Sequence, residues 1–147
     1  MKIAIGADHA AIDLKAKVKA VLEGKNIEVV DFGTKSKDSV DYPDYGLKVA
    51  QAVASGEVDK GVAICWTGAG MVITTNKVRG IRAALCLNKD MAFYAWSHND
   101  INILVLSQKY VEEKYLSEII DTWLTTEFEG GRHIQRLAKI KTAEDNY

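Results

Sequence analysis

The segment from Cys65 to Met71 holds the residues whose types and spacing are best suited to chemistry. Its two glycines, Gly68 and Gly70, allow successive backbone N–H groups to turn toward one point, and a helix starting there adds its positive end. Such a loop can bind a phosphate or stabilise an oxyanion. Cys65 precedes that helix, a position that favours the reactive thiolate. The alternative is that Cys65 is a small buried hydrophobic residue, the commoner fate of a cysteine, and we assign Cys86 to that class.

This loop departs from the better-known motifs of similar composition. A dinucleotide fingerprint needs a third glycine where Ile73 stands, and a Walker loop needs Gly-Lys-Ser/Thr where Asn76-Lys77-Val78 stands. A cysteine phosphatase loop needs an arginine in place of Met71, and a response-regulator receiver carries an aspartate in place of Cys65. No Cys-x-x-Cys or His-Glu-x-x-His spacing for zinc occurs. We therefore predict neither a metal nor another cofactor.

Two polar clusters border short apolar runs elsewhere in the chain. Asp8 and His9 follow the first run, which would place an acid and an imidazole at the mouth of a sheet. Their alternative roles are a helix cap for Asp8 and a surface position for His9. His98 and Asn99 lie among four polar residues before a later strand, either as functional groups or as part of a solvated loop. The residues alone leave both choices open.

A basic pair stands near the end of the chain. Arg132 and Arg136 follow two glycines and lie on one face if a helix starts there, because they are four residues apart. Two guanidinium groups on one face can clamp a phosphate or a carboxylate. The alternative is a solvated basic face without a ligand.

The elements that would position these residues follow from an alternation of short apolar runs with longer amphipathic ones. The apolar runs predict strands at Lys2–Ala7, Ile27–Val30, Val62–Cys65, Ile81–Leu87 and Ile103–Leu106. The amphipathic runs predict helices at Ala10–Glu23, Pro43–Ser55, Gly68–Lys77, Asp90–Trp96, Val111–Leu124 and Ile134–Ile140, followed by a polar tail. This alternation predicts a doubly wound five-stranded parallel sheet in a Rossmann-like three-layer α/β/α sandwich. The whole chain, residues 1–147, is expected to form one domain.

Ligands of such folds bind beyond the carboxyl ends of the parallel strands. The positions to inspect directly follow Ala7, Asp31, Cys65, Leu87 and Leu106. The acid–imidazole pair and the glycine-rich loop both satisfy this condition.

Composition and charge exclude several classes of function. The 147 residues include 19 Lys plus Arg and 20 Asp plus Glu, for a formal net charge of −1. This balance leaves no excess of positive charge that would attract nucleic acid or an anionic membrane surface. No apolar run approaches the roughly 20 residues of a membrane helix, and the first residues lack the pattern of a signal peptide. The two cysteines are expected to be reduced thiols, which predicts a cytoplasmic protein.

Taken together, the motifs resemble those of the ribose-5-phosphate isomerase type B family, which includes the galactose-6-phosphate isomerase subunits. The resemblance covers essentially the whole chain. Its motifs are Gly6-Ala7-Asp8-His9, Asp41-Tyr42-Pro43, Cys65 with Thr67-Gly68-Ala69-Gly70, Asn76-Lys77, Gly80-Ile81-Arg82-Ala83, His98-Asn99-Asp100 with Asn102, and Glu129-Gly130-Gly131-Arg132-His133 with Arg136. Each motif is weak alone, but the complete set in this order is specific.

The resemblance implies a metal-free isomerase of aldose and ketose phosphates, with ribose 5-phosphate and ribulose 5-phosphate as the first candidates. It implies that Cys65 moves a proton between C1 and C2, that Thr67 assists at the sugar oxygens, and that His98 with Asp8 opens the furanose ring. The implied binding groups are the backbone N–H groups of Gly68, Ala69, Gly70 and Met71 for the enediolate, Tyr42 and Asn99 for the sugar, and His9, Lys109, Arg132 and Arg136 for the phosphate. In this family the active site is shared across a homodimer interface, with His98 supplied by the neighbouring subunit, and a tetramer is a further option.

Two departures from the family pattern leave the preferred sugar open. Trp66 stands where relatives usually have glycine, and an indole beside Cys65 could reshape the sugar pocket. Lys109 stands where many relatives have a phosphate-binding arginine, so the charge is kept and the forked geometry lost. A tetrose, another pentose or a hexose phosphate are alternatives. A non-catalytic sugar-phosphate-binding protein and a flavodoxin-like nucleotide-binding module are the alternatives to an isomerase.

Overall fold

Five short apolar runs form one parallel sheet in the computed structural model, which describes residues 1–147. The strands are β1 (Lys2–Ala7), β2 (Glu28–Asp31), β3 (Lys60–Cys65), β4 (Ala83–Leu85) and β5 (Ile103–Ser107). They lie in the order β2-β1-β3-β5-β4, and every neighbouring pair is parallel. The predicted doubly wound sheet is confirmed, and the carboxyl ends of all five strands therefore lie at the same edge.

Six helices connect and flank the strands. They are α1 (Ile12–Gly24), α2 (Tyr42–Ala54), α3 (Ala69–Thr75), α4 (Lys89–Asn99), α5 (Glu113–Thr125) and α6 (Arg132–Asn146), and a 3-10 turn (His9–Ala11) precedes α1. Apolar side chains of α1, α4 and α5 pack on one face of the sheet, and those of α2 and α3 pack on the other. Helix α6 lies against α4, and His133 is its only buried residue.

Local sequence signals set where several helices begin. The Asn88 side chain accepts a hydrogen bond from the Met91 N–H (2.9 Å) and caps α4. Pro43 occupies the first turn of α2, where its missing N–H is not needed. Gly68 precedes α3 with φ of +89°, a backbone conformation that suits glycine.

The sheet is buried on both faces, which explains why its strands are continuous apolar runs rather than alternating ones. In β1, Ile3 and Ile5 pack toward one helical layer and Ala4 toward the other, and all three are fully buried. Full burial of one such isoleucine contributes about 1.5–3 kcal/mol.

No helix combines the length and the apolar character that crossing a membrane requires.

The predicted polar tail after Ile140 is wrong, because α6 continues to Asn146. The final turns carry no apolar stripe, and their stabilisation comes from charges at helical spacing instead. The Lys141 ammonium lies 3.3 Å from the Glu144 carboxylate, three residues on. Glu144 also accepts a hydrogen bond from the Gly80 N–H (2.7 Å), which ties the end of α6 to the body of the protein.

The predicted end of α4 at Trp96 is also too early, because the helix includes His98 and Asn99 in its last turn. The guanidinium group of Arg82 explains the extension. Its Nε donates to the carbonyl oxygens of Asn99 (3.1 Å) and Asp100 (2.8 Å), groups that a helix end otherwise leaves unsatisfied. His98 and Asn99 therefore do not lie in a solvated loop.

Candidate active site

A cleft of about 300 Å³ opens at the carboxyl edge of the sheet. It lies where β1 and β3 end side by side, as the topology of a doubly wound sheet predicts. The residues that line it are Asp8, Tyr42, Cys65, Trp66, Thr67 and Gly70. All six are among the residues predicted from the sequence to bind or transform a substrate.

Cys65 is the last residue of β3, and its side chain is almost buried at 4% exposure. The backbone after it is fixed by the segment that follows β5. The carbonyl oxygen of Trp66 accepts hydrogen bonds from Ser107 Oγ (2.8 Å) and from the Lys109 N–H (3.0 Å). By contrast, Cys86 is fully buried outside the cleft, and burial raises the pKa of its thiol to about 12. The predicted burial of Cys86 as a small hydrophobic residue is confirmed.

The loop after Cys65 presents a row of free backbone donors. The N–H groups of Gly68, Ala69, Gly70 and Met71 have no hydrogen-bond acceptor within the chain. Gly68 cannot be replaced without strain, since its φ is +89° and a Cβ would lie 2.5 Å from Leu85 Cδ1. Met71 contributes only its backbone, because its side chain is fully buried between α2 and α3. An anion placed against this loop would be met by several aligned donors.

Asp8, the acid of the pair after β1, both caps a helical turn and lines the cleft. Asp8 Oδ1 accepts the Ala10 N–H (3.0 Å) and caps the 3-10 turn, while its carboxylate also lines the cleft. His9 Nδ1 accepts the Val40 N–H (3.1 Å). With Nδ1 used as an acceptor, Nε2 is the nitrogen of this ring that can donate a hydrogen bond to an anion.

Two aromatic residues form walls of the cleft. The Tyr42 ring packs on the loop backbone so closely that a Cβ added at Gly70 would lie 2.6 Å from its Cζ atom. The Trp66 side chain is half exposed and lines the cleft. Lys109, whose backbone bonds to Trp66, is exposed and has its ammonium 5.2 Å from the Tyr110 ring centre. Trp96 does not line the cleft, and the Lys60 ammonium lies 3.6 Å from the centre of its ring.

The remaining predicted residues lie at the opposite edge of the sheet. Helix α4 runs back from the carboxyl end of β4 to the amino end of β5, and its 11 residues span about 16 Å. His98 and Asn99 at its end therefore do not reach Cys65 of the same chain. Arg132 belongs to this second group, because α6 packs against the end of α4.

The basic face of α6 is free of carboxylate partners. Arg132 and Arg136 take part in no ion pair, whereas Arg79 and Arg82 both do. The predicted clamp of these two arginines with His9 is thus not assembled within one chain, since His9 lies at the carboxyl edge. One chain thus holds the predicted site residues as two separate groups, one at each edge of the sheet.

The second half includes two residues that the sequence analysis left without a role. The ring of His98 stacks on that of His133 with centroids 4.2 Å apart and planes 17° apart. Oε2 of Glu129 lies 3.8 Å from His98 Nε2 and 3.6 Å from His133 Nε2. The only feature of the sequence that could have linked Glu129 to His133 is their spacing of four residues. Because the imidazoles are stacked almost parallel, no single position lies in the plane of both rings, and a metal ion would require them to rotate.

Several residues of the sequence motifs do not line the cleft and instead form hydrogen bonds that stabilise the backbone. The Asn76 side chain accepts the Ala83 N–H and donates to the Ala83 carbonyl oxygen, both at 2.9 Å. The Asn102 amide accepts the Arg82 N–H (2.8 Å) and donates to the Gly80 carbonyl oxygen (2.8 Å). These bonds fix the segment between α3 and β4 against the start of β5.

Comparison with known proteins adds an independent finding. Residues 3–140 match the family model described as Ribose/Galactose Isomerase. The chain is 44% identical over 143 residues to ribose-5-phosphate isomerase B of Escherichia coli, covering 97% of this chain and 96% of that protein. Its structure is similar to that of Clostridium thermocellum ribose-5-phosphate isomerase B, with a TM-score of 0.98, 52% identity and coverage of 100% and 99%. It is also similar to the Mycoplasma genitalium ribose-5-phosphate isomerase B solved with bound ribulose-5-phosphate, with a TM-score of 0.93, 36% identity and coverage of 99% and 97%.

Proposed function

The chain belongs to the ribose/galactose isomerase family, and from this premise we propose that it interconverts ribose 5-phosphate and ribulose 5-phosphate with Cys65 as the base. Membership of this family makes it a sugar phosphate isomerase, an enzyme that exchanges aldose and ketose forms. The substrate and the catalytic groups are our proposal.

In the proposed reaction a single base serves two neighbouring carbons. The Cys65 thiolate takes the proton from C2 of the open-chain aldose, and the electron pair moves to the carbonyl to give an enediolate. The same proton then returns to C1 while a proton moves between the two oxygens, for which Thr67 is suitably placed on the cleft wall. The near-complete burial of Cys65 supports this role, because it lets part of the abstracted proton return to the neighbouring carbon before the rest exchanges with water.

One observation carries the proposal. The free N–H groups of residues 68–71 stand directly beside the buried thiol at the end of β3. An enediolate develops negative charge on oxygen, and preorganised donors aimed at that charge lower the barrier most effectively in a pocket with little water. A loop that only bound a neutral ligand would gain little from four unpaired donors.

Ring opening requires a second set of groups, and we propose that a second copy of the chain supplies them. Asp8 lies in the cleft, but His98 and Asn99 lie at the far edge of the same subunit. A homodimer that places the end of α4 over the cleft of its neighbour brings the two halves together. The exposed apolar residues Ile134 and Ile140 on α6 support burial of this helix in such an assembly.

The same arrangement assembles the phosphate site. His9 directly follows the cleft residue Asp8 and has its Nδ1 bonded to Val40, and Arg132 and Arg136 of the second copy add two guanidinium groups without ion-pair partners. Lys109 offers a further positive charge beside Trp66. Since each forked guanidinium can make two parallel hydrogen bonds to phosphate, the clamp supplies binding energy remote from the reacting carbons.

The choice of substrate depends on Trp66. The Mycoplasma genitalium relative binds ribulose-5-phosphate, which supports a pentose phosphate as the substrate here. The indole of Trp66 lines the cleft and restricts its volume, so a shorter or a longer sugar phosphate is the alternative.

The free thiols of Cys65 and Cys86 also support a reducing compartment, and we place the protein in the cytoplasm.

A coupled assay over a panel of tetrose, pentose and hexose phosphates tests the proposal. Ribose 5-phosphate should give the highest kcat/KM, and Cys65→Ala should lower kcat by about two to four orders of magnitude. Cys86→Ala is the matched control and should leave the rate unchanged. Tight binding of a sugar phosphate without turnover of any would instead favour the non-catalytic binding protein.

A further inference from the structure

One of the two stacked imidazoles lies at the C-terminal end of a helix and the other at the N-terminal end of another helix. His98 lies in the last turn of α4, and His133 lies in the first turn of α6. The C-terminal end of a helix favours a positive charge, and the N-terminal end disfavours one. Burial lowers the pKa of His133, and the neighbouring charges of His98, Arg132 and Arg136 lower it further. His133 therefore favours its neutral form.

The neutral member is also the fixed member of the pair. His133 is 4% exposed, so packing holds its ring in one orientation. The His98 side chain is 32% exposed, and only one of its faces is covered by the stack. The Glu129 N–H donates to the Ser97 carbonyl oxygen (3.0 Å), which holds the Glu129 carboxylate close to the end of α4.

From this arrangement we propose that His133 and Glu129 are positioning residues for His98. His133 fixes the plane of the His98 ring, and the Glu129 carboxylate stabilises its protonated form by charge. The inference rests on the proposed function, in which His98 opens the sugar ring. In that step His98 gives a proton to the ring oxygen as the C1–O4 bond breaks. The Asp8 carboxylate takes the proton of the C1 hydroxyl, and the open-chain aldehyde forms.

The charged groups that act on His133 are the Glu129 carboxylate, the Arg132 and Arg136 guanidinium groups and His98 itself. The Tyr94 ring packs on His98, with its centroid 5.1 Å from that of His98. Glu129 is the only anion in this set, and the two arginines oppose protonation of His133.

Two pairs of variants separate positioning from general stability. His133→Phe keeps a flat ring under His98, whereas His133→Ala removes it. Glu129→Gln removes the charge at nearly constant shape. Glu127→Gln is its matched control, since Glu127 lies two residues away, is exposed and makes no ion pair.

Isomerisation and proton transfer are then measured separately in each variant. Ribulose 5-phosphate cannot close a furanose ring, because its C5 oxygen carries the phosphate. Exchange of its C1 hydrogen with deuterium oxide therefore reports the Cys65 step without ring opening. The aldose-to-ketose rate reports both steps.

We expect His133→Ala to lower kcat for ribose 5-phosphate about tenfold, with exchange changed less than about twofold. His133→Phe should retain most of the rate. Glu129→Gln should lower kcat for ribose 5-phosphate about five- to tenfold, again with exchange changed less than about twofold, and Glu127→Gln should change neither rate.

The proposal is overturned if His133→Phe and His133→Ala are equally impaired, or if Glu129→Gln behaves like Glu127→Gln. Equal loss of exchange and isomerisation, with a lower Tm, would also overturn it, because both residues would then be merely structural. A wild-type protein that neither isomerises nor exchanges these sugars contradicts the proposed function itself.

Discussion

Replacement of Gly70 by alanine tests whether the Tyr42 ring forms a fixed wall of the cleft. The backbone of Gly70 has no positive φ, so an alanine is not strained by its conformation. Its Cβ would, however, lie 2.6 Å from Tyr42 Cζ and 2.7 Å from Cε2. Carbon atoms in contact are about 3.5–4 Å apart, so the ring must move by about 1 Å.

The structure indicates where that movement goes. Tyr42 is 39% exposed, so its ring can swing toward solvent, and we expect the free energy of unfolding to fall by only about 1 kcal/mol. A displacement of about 1 Å at a substrate-lining group can cost up to about a hundredfold in rate. We therefore expect Gly70→Ala to lower kcat/KM for ribose 5-phosphate by about ten- to a hundredfold, measured in the coupled assay.

A double-mutant cycle decides whether Tyr42 transmits the effect. In a Tyr42→Ala background the added methyl group has no ring to displace, so Gly70→Ala should cost little further activity. Gly24→Ala is the control, because a Cβ there meets no atom within 4 Å. Equal losses from Gly70→Ala in both backgrounds would refute the reasoning, since the methyl group would then obstruct the substrate directly.

Three further predictions concern specificity, binding and stability. Trp66→Gly should change the ratio of kcat/KM values between a shorter and a longer sugar phosphate by at least about tenfold; an unchanged ratio with a sharply lower Tm would make Trp66 a packing residue. Arg136→Ala should chiefly raise KM for the phosphorylated sugar, and equal turnover of the unphosphorylated sugar would contradict the clamp. Lys15→Met should lower the free energy of unfolding by about 2 kcal/mol in urea titrations, because the mostly buried Asp31 carboxylate loses its partner at 3.0 Å and keeps only the more distant Lys19 at 3.9 Å. Lys17→Met, which breaks an exposed pair, should change it by less than about 1 kcal/mol, and equal losses would contradict the role of burial.

Much of the sheet could be predicted from the sequence because its strands are buried on both faces. Continuous apolar runs such as Lys2–Ala7 have no other simple explanation in a chain of this composition. The helices were less predictable at their ends. The last turns of α6 depend on Lys141 and Glu144, and the end of α4 depends on Arg82, which lies 17 residues before Asn99. Such contacts produce no periodic pattern of apolar residues from which the end of a helix could be predicted.

The candidate site was predictable for one half and not for the other. Asp8 directly follows β1 and Cys65 ends the neighbouring parallel strand β3, and topology alone brings such positions together. The placement of His98 depends on the direction of α4 and on the assembly of two chains, neither of which is encoded in local spacing. The stacking of His133 on His98 joins residues 35 positions apart, with β5, α5 and the irregular loop at 126–131 between them.

Subunit mixing tests the central claim most directly, namely that each active site combines Cys65 of one chain with His98 of another. Cys65→Ala and His98→Ala proteins, each nearly inactive alone, are unfolded together in equal amounts and refolded. Random association makes half of the dimers mixed, and each mixed dimer has one intact site, so activity should recover to about a quarter of wild type. Activity that stays at the average of the two parent variants, with mixed dimers demonstrated by mass spectrometry, would contradict the shared site.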